Sequence, residues 1–345
     1  MLRYEHGGDI YEDTGIILDF SVNTNPLGMP AGAKEALTAA LGDFERYPDC
    51  HCRALRQALS RQHGLERGMI LCGNGAADMI FRLCACLKPK KALALAPTFS
   101  EYERPVRLFG GEMLEYRLQE AAGFALLEGI LQALTPEVDI FFLCNPNNPT
   151  GRLASPALLR RLAQACTEMG ILLVVDECFL DFTAGDSLLP LLGQYPRLLI
   201  LRAFTKLYGM AGLRLGYLLC ADEALLARIA AFGAEWSVSA AAQAAGLGAL
   251  AEPGWVERTR CIIQAERAFL QEGLTALGLT IFPSDANFLL VKSALPLYVL
   301  LKQRGILVRG CNNFTGLDDH FIRIGLKTHE KNVVLLSAVK EVLHG

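Results

Sequence analysis

The sequence predicts an α/β protein: a mostly parallel sheet covered by helices in a large lobe, followed by a smaller α+β lobe. Three observations carry this. Short continuous apolar runs, such as Val138–Cys144 and Ile171–Val175, alternate with helical patterns, as strands buried on both faces do. From residue ~240 onward long helical stretches replace that alternation, and only short strands follow. The chain has 345 residues, 52% of them hydrophobic and 20% charged, more than one core usually holds.

Taken in order, residues 1–30 are polar and turn-rich and read as an irregular arm. Residues 31–41 and 54–63 are helical, separated by Tyr47-Pro48-Asp49. The turn Gly73-Asn74-Gly75 opens an amphipathic helix with Met79, Ile80, Leu83, Cys84 and Leu87 on its apolar face. Strands are expected at 92–96, near 112–116 (apolar), and at 138–144, 171–175, 198–202 and 215–220, with a helix at 155–169. Helices at 240–250 and 255–277 follow, the second bridging the lobes, then short strands at Ile281, 288–291 and 321–325. The expected division is an arm at 1–40 that adds to the small domain, a large domain at 41–245 and a small domain at 246–345.

Composition excludes several classes of function. The net charge of -3 supplies no basic face for phosphate neutralisation, so nucleic acid is not an expected partner. No apolar run approaches the ~18 residues of a membrane span, no signal core opens the chain, and a cytoplasmic protein is expected. Eleven cysteines without a spacing framework read as reduced thiols. Cys50-His51-Cys52 lacks a second ligand pair, so no metal is expected.

Three segments carry chemistry. In Phe204-Thr205-Lys206, followed by Gly212-Leu213-Arg214, a lysine stands in an apolar, glycine-rich stretch. A poorly solvated amine loses its proton readily and attacks aldehydes, which suits a Schiff-base lysine. Thr205 and Arg214 can hold a phosphate on the same cofactor. Asp176 ends a buried strand, where ligands gather in open α/β sheets, and a carboxylate there can pair with a protonated pyridine nitrogen. The loop Asn145–Gly151 follows another strand, and the Asn148 amide can bond a phenolic ring oxygen. Read singly, these are a surface lysine, a strand-end turn and a tight loop. Their joint order and spacing argue for the chemical reading.

Asn148-Pro-Thr-Gly, Asp176, Lys206 and Arg214 together resemble the signature of fold-type I pyridoxal-phosphate enzymes of the aminotransferase class I/II superfamily. The resemblance runs from His6-Gly7-Gly8 to Phe321–Gly325. It implies pyridoxal 5'-phosphate as cofactor, Lys206 as its covalent anchor and proton shuttle, Asp176 at the ring nitrogen and Asn148 at the ring oxygen. It further implies Phe99 stacked on the ring, and a phosphate cup of Thr205, Arg214 and the backbone N–H groups of Gly75 and Ala76. Tyr47 matches a tyrosine that reaches the partner subunit's cofactor phosphate, which implies a homodimer with a shared site. Arg323 matches the arginine that binds the substrate carboxylate. Two departures stand out: Phe179 where relatives carry tyrosine, and Ala203 where they often carry Ser or Thr.

Within the superfamily the chain looks most like the cobalamin-pathway L-threonine-O-3-phosphate decarboxylases. The resemblance lies in His6-Gly7-Gly8, Ser21-Val-Asn-Thr-Asn25-Pro, Asp176-Glu-Cys-Phe179 and Trp236-Ser-Val-Ser. It implies His6 and Asn25 as grips on the substrate phosphate and (R)-1-amino-2-propanol O-2-phosphate as product. Histidinol-phosphate or aromatic aminotransferases are the alternative branch. L-Serine-O-phosphate is a close substrate alternative, since one methyl discriminates by only ~1–3 kcal/mol. A non-catalytic cofactor-binding regulator is disfavoured by the intact lysine and arginines and by the lack of length for a DNA-binding domain.

Overall fold

A computed structural model describes residues 6–11 and 15–344. The strands are β1 (Leu18–Asp19), β2 (Ile70–Gly73), β3 (Lys91–Ala96), β4 (Glu112–Arg117), β5 (Ile140–Cys144), β6 (Leu172–Asp176), β7 (Leu198–Ala203) and β8 (Gly216–Cys220). After a helical stretch come β9 (Thr280–Ile281), β10 (Phe288–Lys292), β11 (Ile306–Leu307), β12 (Arg309–Gly310) and β13 (Phe321–Gly325). The helices are α1 (Ala31–Ala39), α2 (Arg53–His63), α3 (Ala76–Leu87), α4 (Glu103–Leu108), α5 (Pro156–Met169) and α6 (Phe204–Leu207). They continue with α7 (Glu223–Ala230), α8 (Ala240–Leu250), α9 (Trp255–Ala276), α10 (Leu297–Lys302) and α11 (His329–His344).

Seven strands form the main sheet in the order β2-β8-β7-β6-β5-β3-β4. Strands β3 to β7 pair in parallel, while β8 runs antiparallel to both its neighbours. Strand β2, being antiparallel to β8, therefore points the same way as the parallel set. Strands β5 and β6 are buried at every residue because helices and loops cover both faces, which is why they read as unbroken apolar runs. Two apolar clusters, one on each face, hold the sheet. Strand β4 departs from expectation: it is the sheet edge, its residues are exposed or half-buried and none is buried, and it is not an apolar core strand.

The helix ends follow local chemistry. Ser155 Oγ accepts from the Leu158 N–H at the start of α5, Pro156 occupies its first turn, and Gly170 closes it in the left-handed region. Asp222 and Ser239 cap α7 and α8 in the same way. The second sheet has the order β12-β13-β10-β9, all antiparallel. The arm joins this part of the fold through β1, which pairs in parallel with β11. Helix α9 reaches both regions: Trp255 Nε1 donates to the Leu207 carbonyl near one end, and Arg267 donates to the carbonyls of Asp285 and Ala286 further along.

The start of α3 is pressed directly onto β8. A Cβ on Gly216 would lie 2.7 Å from the Ala76 nitrogen, 2.8 Å from the Gly75 carbonyl carbon and 3.1 Å from the Arg202 carbonyl oxygen. All three are backbone atoms that cannot swing aside. Gly216→Ala is therefore expected to destabilise the protein by about 1–3 kcal/mol, as overpacking does. Gly212→Ala, where nothing lies within 4 Å, serves as the neutral control. Chemical denaturation of the two variants checks this, and equal stabilities would refute the packing argument.

Candidate active site

Because β2, β3, β5, β6 and β7 all point one way, the residues that follow them meet at one sheet edge. Ala76 follows β2, Phe99 follows β3, Asn148 follows β5, Asp176 ends β6, and Thr205 and Lys206 follow β7. They line a cavity of about 500 Å³, together with Arg214 after the lysine helix, Arg323 on β13 and His6 from the arm. Nine of the residues singled out from sequence are thereby brought together. Gly75 forms the N-cap of α3, and Arg214 Nη2 lies 2.7 Å from where a Gly75 side chain would begin.

The Lys206 side chain is half-buried in the cavity wall, its amine 5.7 Å from the centre of the Phe179 ring. Burial is the main reason its pKa falls to about 8, and the nearby Arg323 and Arg214 guanidiniums push it the same way. Such an amine holds a far larger neutral, nucleophilic fraction near neutral pH than an ordinary lysine does. Asp176 is anchored at both oxygens: Oδ1 accepts from the Cys178 N–H at 3.0 Å and Oδ2 from the Tyr102 hydroxyl at 2.7 Å. The neighbouring Glu177 has a different task, pairing with Arg202 at 2.7 Å as a buried brace.

Arg323 is 7% exposed. Its Nη1 donates to Asn148 Oδ1 at 2.5 Å, its Nη2 donates to the Ser21 carbonyl at 2.6 Å, and its Nε is buried without a partner among the described residues. Burial lowers its pKa to about 10. Arg309 pairs directly with Arg323 across β12 and β13, so both guanidiniums leave the same face of that sheet toward the cavity. The arm is tied down along four consecutive carbonyls. Gly325 N–H donates to Phe20, Arg323 to Ser21, Lys327 Nζ to Val22 and Asn287 Nδ2 to Asn23. Burial also brings the Lys327 pKa down to about 8.

Two expected residues stand elsewhere. Asn25 does not line the cavity, which corrects its reading as a substrate grip. Its amide group is turned into the protein, donating to the Leu207 carbonyl at 2.7 Å and to Thr259 Oγ1 at 2.8 Å, and only 4% of the residue is exposed. Tyr47 lies on the surface, 80% exposed, its ring 4.6 Å from that of Trp236. His6 does reach the cavity rim, where Nε2 meets Glu101 Oε1 at 2.8 Å.

Sequence reasoning missed Tyr102, Asn23, Glu101 and Arg309. Tyr102 follows Phe99 by three residues, and only the fold shows it reaching across to Asp176. Asn23 lines the cavity with its Oδ1 buried and unpartnered among the described residues. An arginine directly after the apolar run Ile306–Val308 was the available signal for Arg309. Phe179 lies 5% exposed against Phe288, so the ring that replaces a tyrosine completes an apolar wall. Among the described residues no group of three or more His, Cys, Asp or Glu side chains converges as a metal site. Nor is any helix among the described residues long and apolar enough to cross a membrane.

Comparison with known proteins agrees with this geometry. The family model for aminotransferase class I and II matches residues 15–339. The chain is 40% identical to a threonine-phosphate decarboxylase of Salmonella typhimurium, over 99% of this chain and 97% of that protein. A solved histidinol-phosphate aminotransferase from Clostridium acetobutylicum superposes with a TM-score of 0.89 at 30% identity, covering 95% of this chain and 99% of that one. A solved L-threonine-O-3-phosphate decarboxylase from Porphyromonas gingivalis gives 0.82 at 26% identity, with 95% and 100% covered.

The state of Lys206 is testable without any substrate. Labelling the cofactor-free protein with an amine-selective reagent across pH should give a midpoint near 8 for Lys206. In Arg323→Gln the midpoint should rise, because a cation that opposes protonation is gone. A midpoint at the ordinary lysine value in the parent protein would show that the amine is not desolvated.

Proposed function

Since the chain belongs to the aminotransferase class I and II family, whose enzymes depend on pyridoxal 5'-phosphate, we propose that it decarboxylates L-threonine O-3-phosphate. The residues at the sheet edge fit the cofactor. Lys206 offers an amine of lowered pKa, Asp176 an oriented carboxylate, and Asn148 an amide whose carbonyl is held by Arg323. Lys206 would bind the cofactor covalently, and Asp176 and Asn148 would hold its ring nitrogen and ring oxygen. Phe99 would cover the ring, while Thr205, Arg214 and the Gly75-Ala76 backbone would hold its phosphate. When bound, the cofactor supplies an aldehyde that condenses with amines and a ring that draws electrons from the substrate's Cα.

The observation that carries the substrate is the pair Arg309 and Arg323, two guanidiniums on one face of one sheet. A substrate bearing both a carboxylate and a phosphate engages both at once. Histidinol phosphate offers one anion only, so the pair favours the decarboxylase over the aminotransferase reading, as does the 40% identity. In this reading Arg323 binds the carboxylate, and Arg309, His6 and Asn23 hold the phosphate. Between them they would fix the orientation of the substrate at Cα, and so which bond there breaks. The Cα–carboxylate bond then cleaves, CO2 leaves, and the electron pair stays at Cα. Lys206 Nζ delivers the proton that takes its place. Phe179, Phe99 and Phe314 line the cavity without adding polar groups, which limits water at the reacting carbon.

The product is (R)-1-amino-2-propanol O-2-phosphate, which places the enzyme in cobalamin biosynthesis in the cytoplasm. The same reading divides the chain into an arm at 1–40, a large domain at 41–245 and a small domain at 246–345, each of which supplies cavity residues. It makes the active form a homodimer in which Tyr47, displayed on the surface beside Trp236, reaches the other copy's cofactor phosphate. Sedimentation should then give twice the 37.6 kDa chain mass, and a monomer would end this part of the reading.

Incubation of the protein with pyridoxal phosphate and L-threonine O-3-phosphate, without a keto acid, should release CO2 and aminopropanol phosphate. Lys206→Ala should abolish both. Glutamate formation with histidinol phosphate as amino donor and 2-oxoglutarate as acceptor, with no CO2 from phosphothreonine, would install the aminotransferase instead. Arg309→Gln should raise KM for phosphothreonine by about 10- to 100-fold, as removal of a charge-assisted hydrogen-bond partner of ~1.5–3 kcal/mol does.

A further inference from the structure

We infer that Asn25 is a positioning residue for Lys206: from the distant arm it caps the carboxyl end of the short helix that carries the lysine. The inference rests on Lys206 being the cofactor-bearing amine and is independent of which substrate is used.

Helix α6 has four residues, and the last carbonyls of a helix have no partner within it. The Lys206 carbonyl takes the Gly209 N–H at 3.2 Å from the turn that follows, and the arm supplies further partners. The Asn25 backbone N–H donates to the Lys206 carbonyl at 3.0 Å, and the Asn25 side-chain Nδ2 donates to the next carbonyl, Leu207, at 2.7 Å. The second Nδ2 hydrogen goes to Thr259 Oγ1 at 2.8 Å, and Thr259 is fully buried on α9. Asn25 Oδ1 accepts from the Leu27 N–H at 3.0 Å, which determines which way the amide faces. Both amide hydrogens of this side chain are thus given to the protein's own groups, and none is left to donate to an anionic ligand. Trp255 Nε1 donates to the same Leu207 carbonyl at 3.0 Å, a second clamp from α9.

The arrangement ties the backbone of Lys206 to two separate elements, the arm and α9, which both also touch the second sheet or the loops beside it. Four residues cannot hold a helical backbone unaided. A displacement of about 1 Å at a reacting group can slow chemistry by about 100-fold. Aspartate at position 25 would set a carboxylate oxygen against the Leu207 carbonyl, two acceptors with no hydrogen between them.

The test compares Asn25→Asp, Asn25→Ala, Trp255→Phe and the Asn25→Ala/Trp255→Phe double variant. Stopped-flow absorbance follows formation of the lysine-linked cofactor chromophore by the cofactor-free protein, and steady-state assays with phosphothreonine separate kcat from KM. In Asn25→Asp chromophore formation and kcat should each fall by about 10- to 100-fold, while KM stays within about two-fold. Trp255→Phe should show a smaller loss in both, and the double variant less than the product of the single effects, because both donors share one acceptor. A raised KM with normal kcat and normal chromophore formation would overturn the inference and return Asn25 to the substrate. Thermal destabilisation with normal rates in the folded protein would reduce it to a structural brace and also overturn it. Slowed chromophore formation in a protein that never turns over phosphothreonine would support the inference while sinking the decarboxylase.

Discussion

The site depends above all on one buried guanidinium. Arg323 rises from the second sheet and donates to Asn148 on the loop after β5 and to Ser21 on the arm. A buried charge needs partners, and here the partners come from two stretches of chain distant from it. Removing Arg323 would leave the Asn148 amide free to turn and the arm without one of its four carbonyl tethers. Its charge also bears on the amine at the centre of the cavity, lowering the proton affinity of Lys206. One side chain therefore joins the parts of the fold, orients a cofactor contact and tunes the nucleophile.

The second constraint is the polarity of the main sheet. Parallel strands deliver their following loops to a single edge, so residues far apart in sequence reach one cavity without long detours. Desolvation at that edge does chemical work. It depresses the pKa of Lys206, and it leaves Asp176 dependent on Tyr102 and the Cys178 N–H for its hydrogen bonds. Apolar walls from Phe99, Phe179 and Phe314 keep the dielectric low around the charged groups.

Much of this was legible in the chain. Strands β5 to β8 announce themselves as continuous apolar runs, and Lys206, Asp176 and Asn148 follow such runs directly, so reading a strand's end also placed its functional residue. Short or edge elements were not legible in the same way. Strand β2 has four residues before a glycine turn, and β4 has no buried residue because it lies at the sheet edge. Tyr102 was not legible, because its partner Asp176 lies 74 residues further along the chain.

The sequence by itself determined the α/β class through its apolar period and turn residues, while its reactive groups beside strand ends, by their resemblance to a known signature, implied the family and the cofactor. The tertiary structure alone decided how the arm is used. Asn23 and Asn25 are two residues apart in a polar stretch of the same composition, yet one faces the cavity and the other grips the lysine helix. That difference is made by the register in which the arm lies on the second sheet, through the carbonyls of Phe20 to Asn23. Pairing Arg309 with Arg323 is likewise a matter of strand register. No local pattern encodes either, because each is set by contacts between segments that only packing brings together.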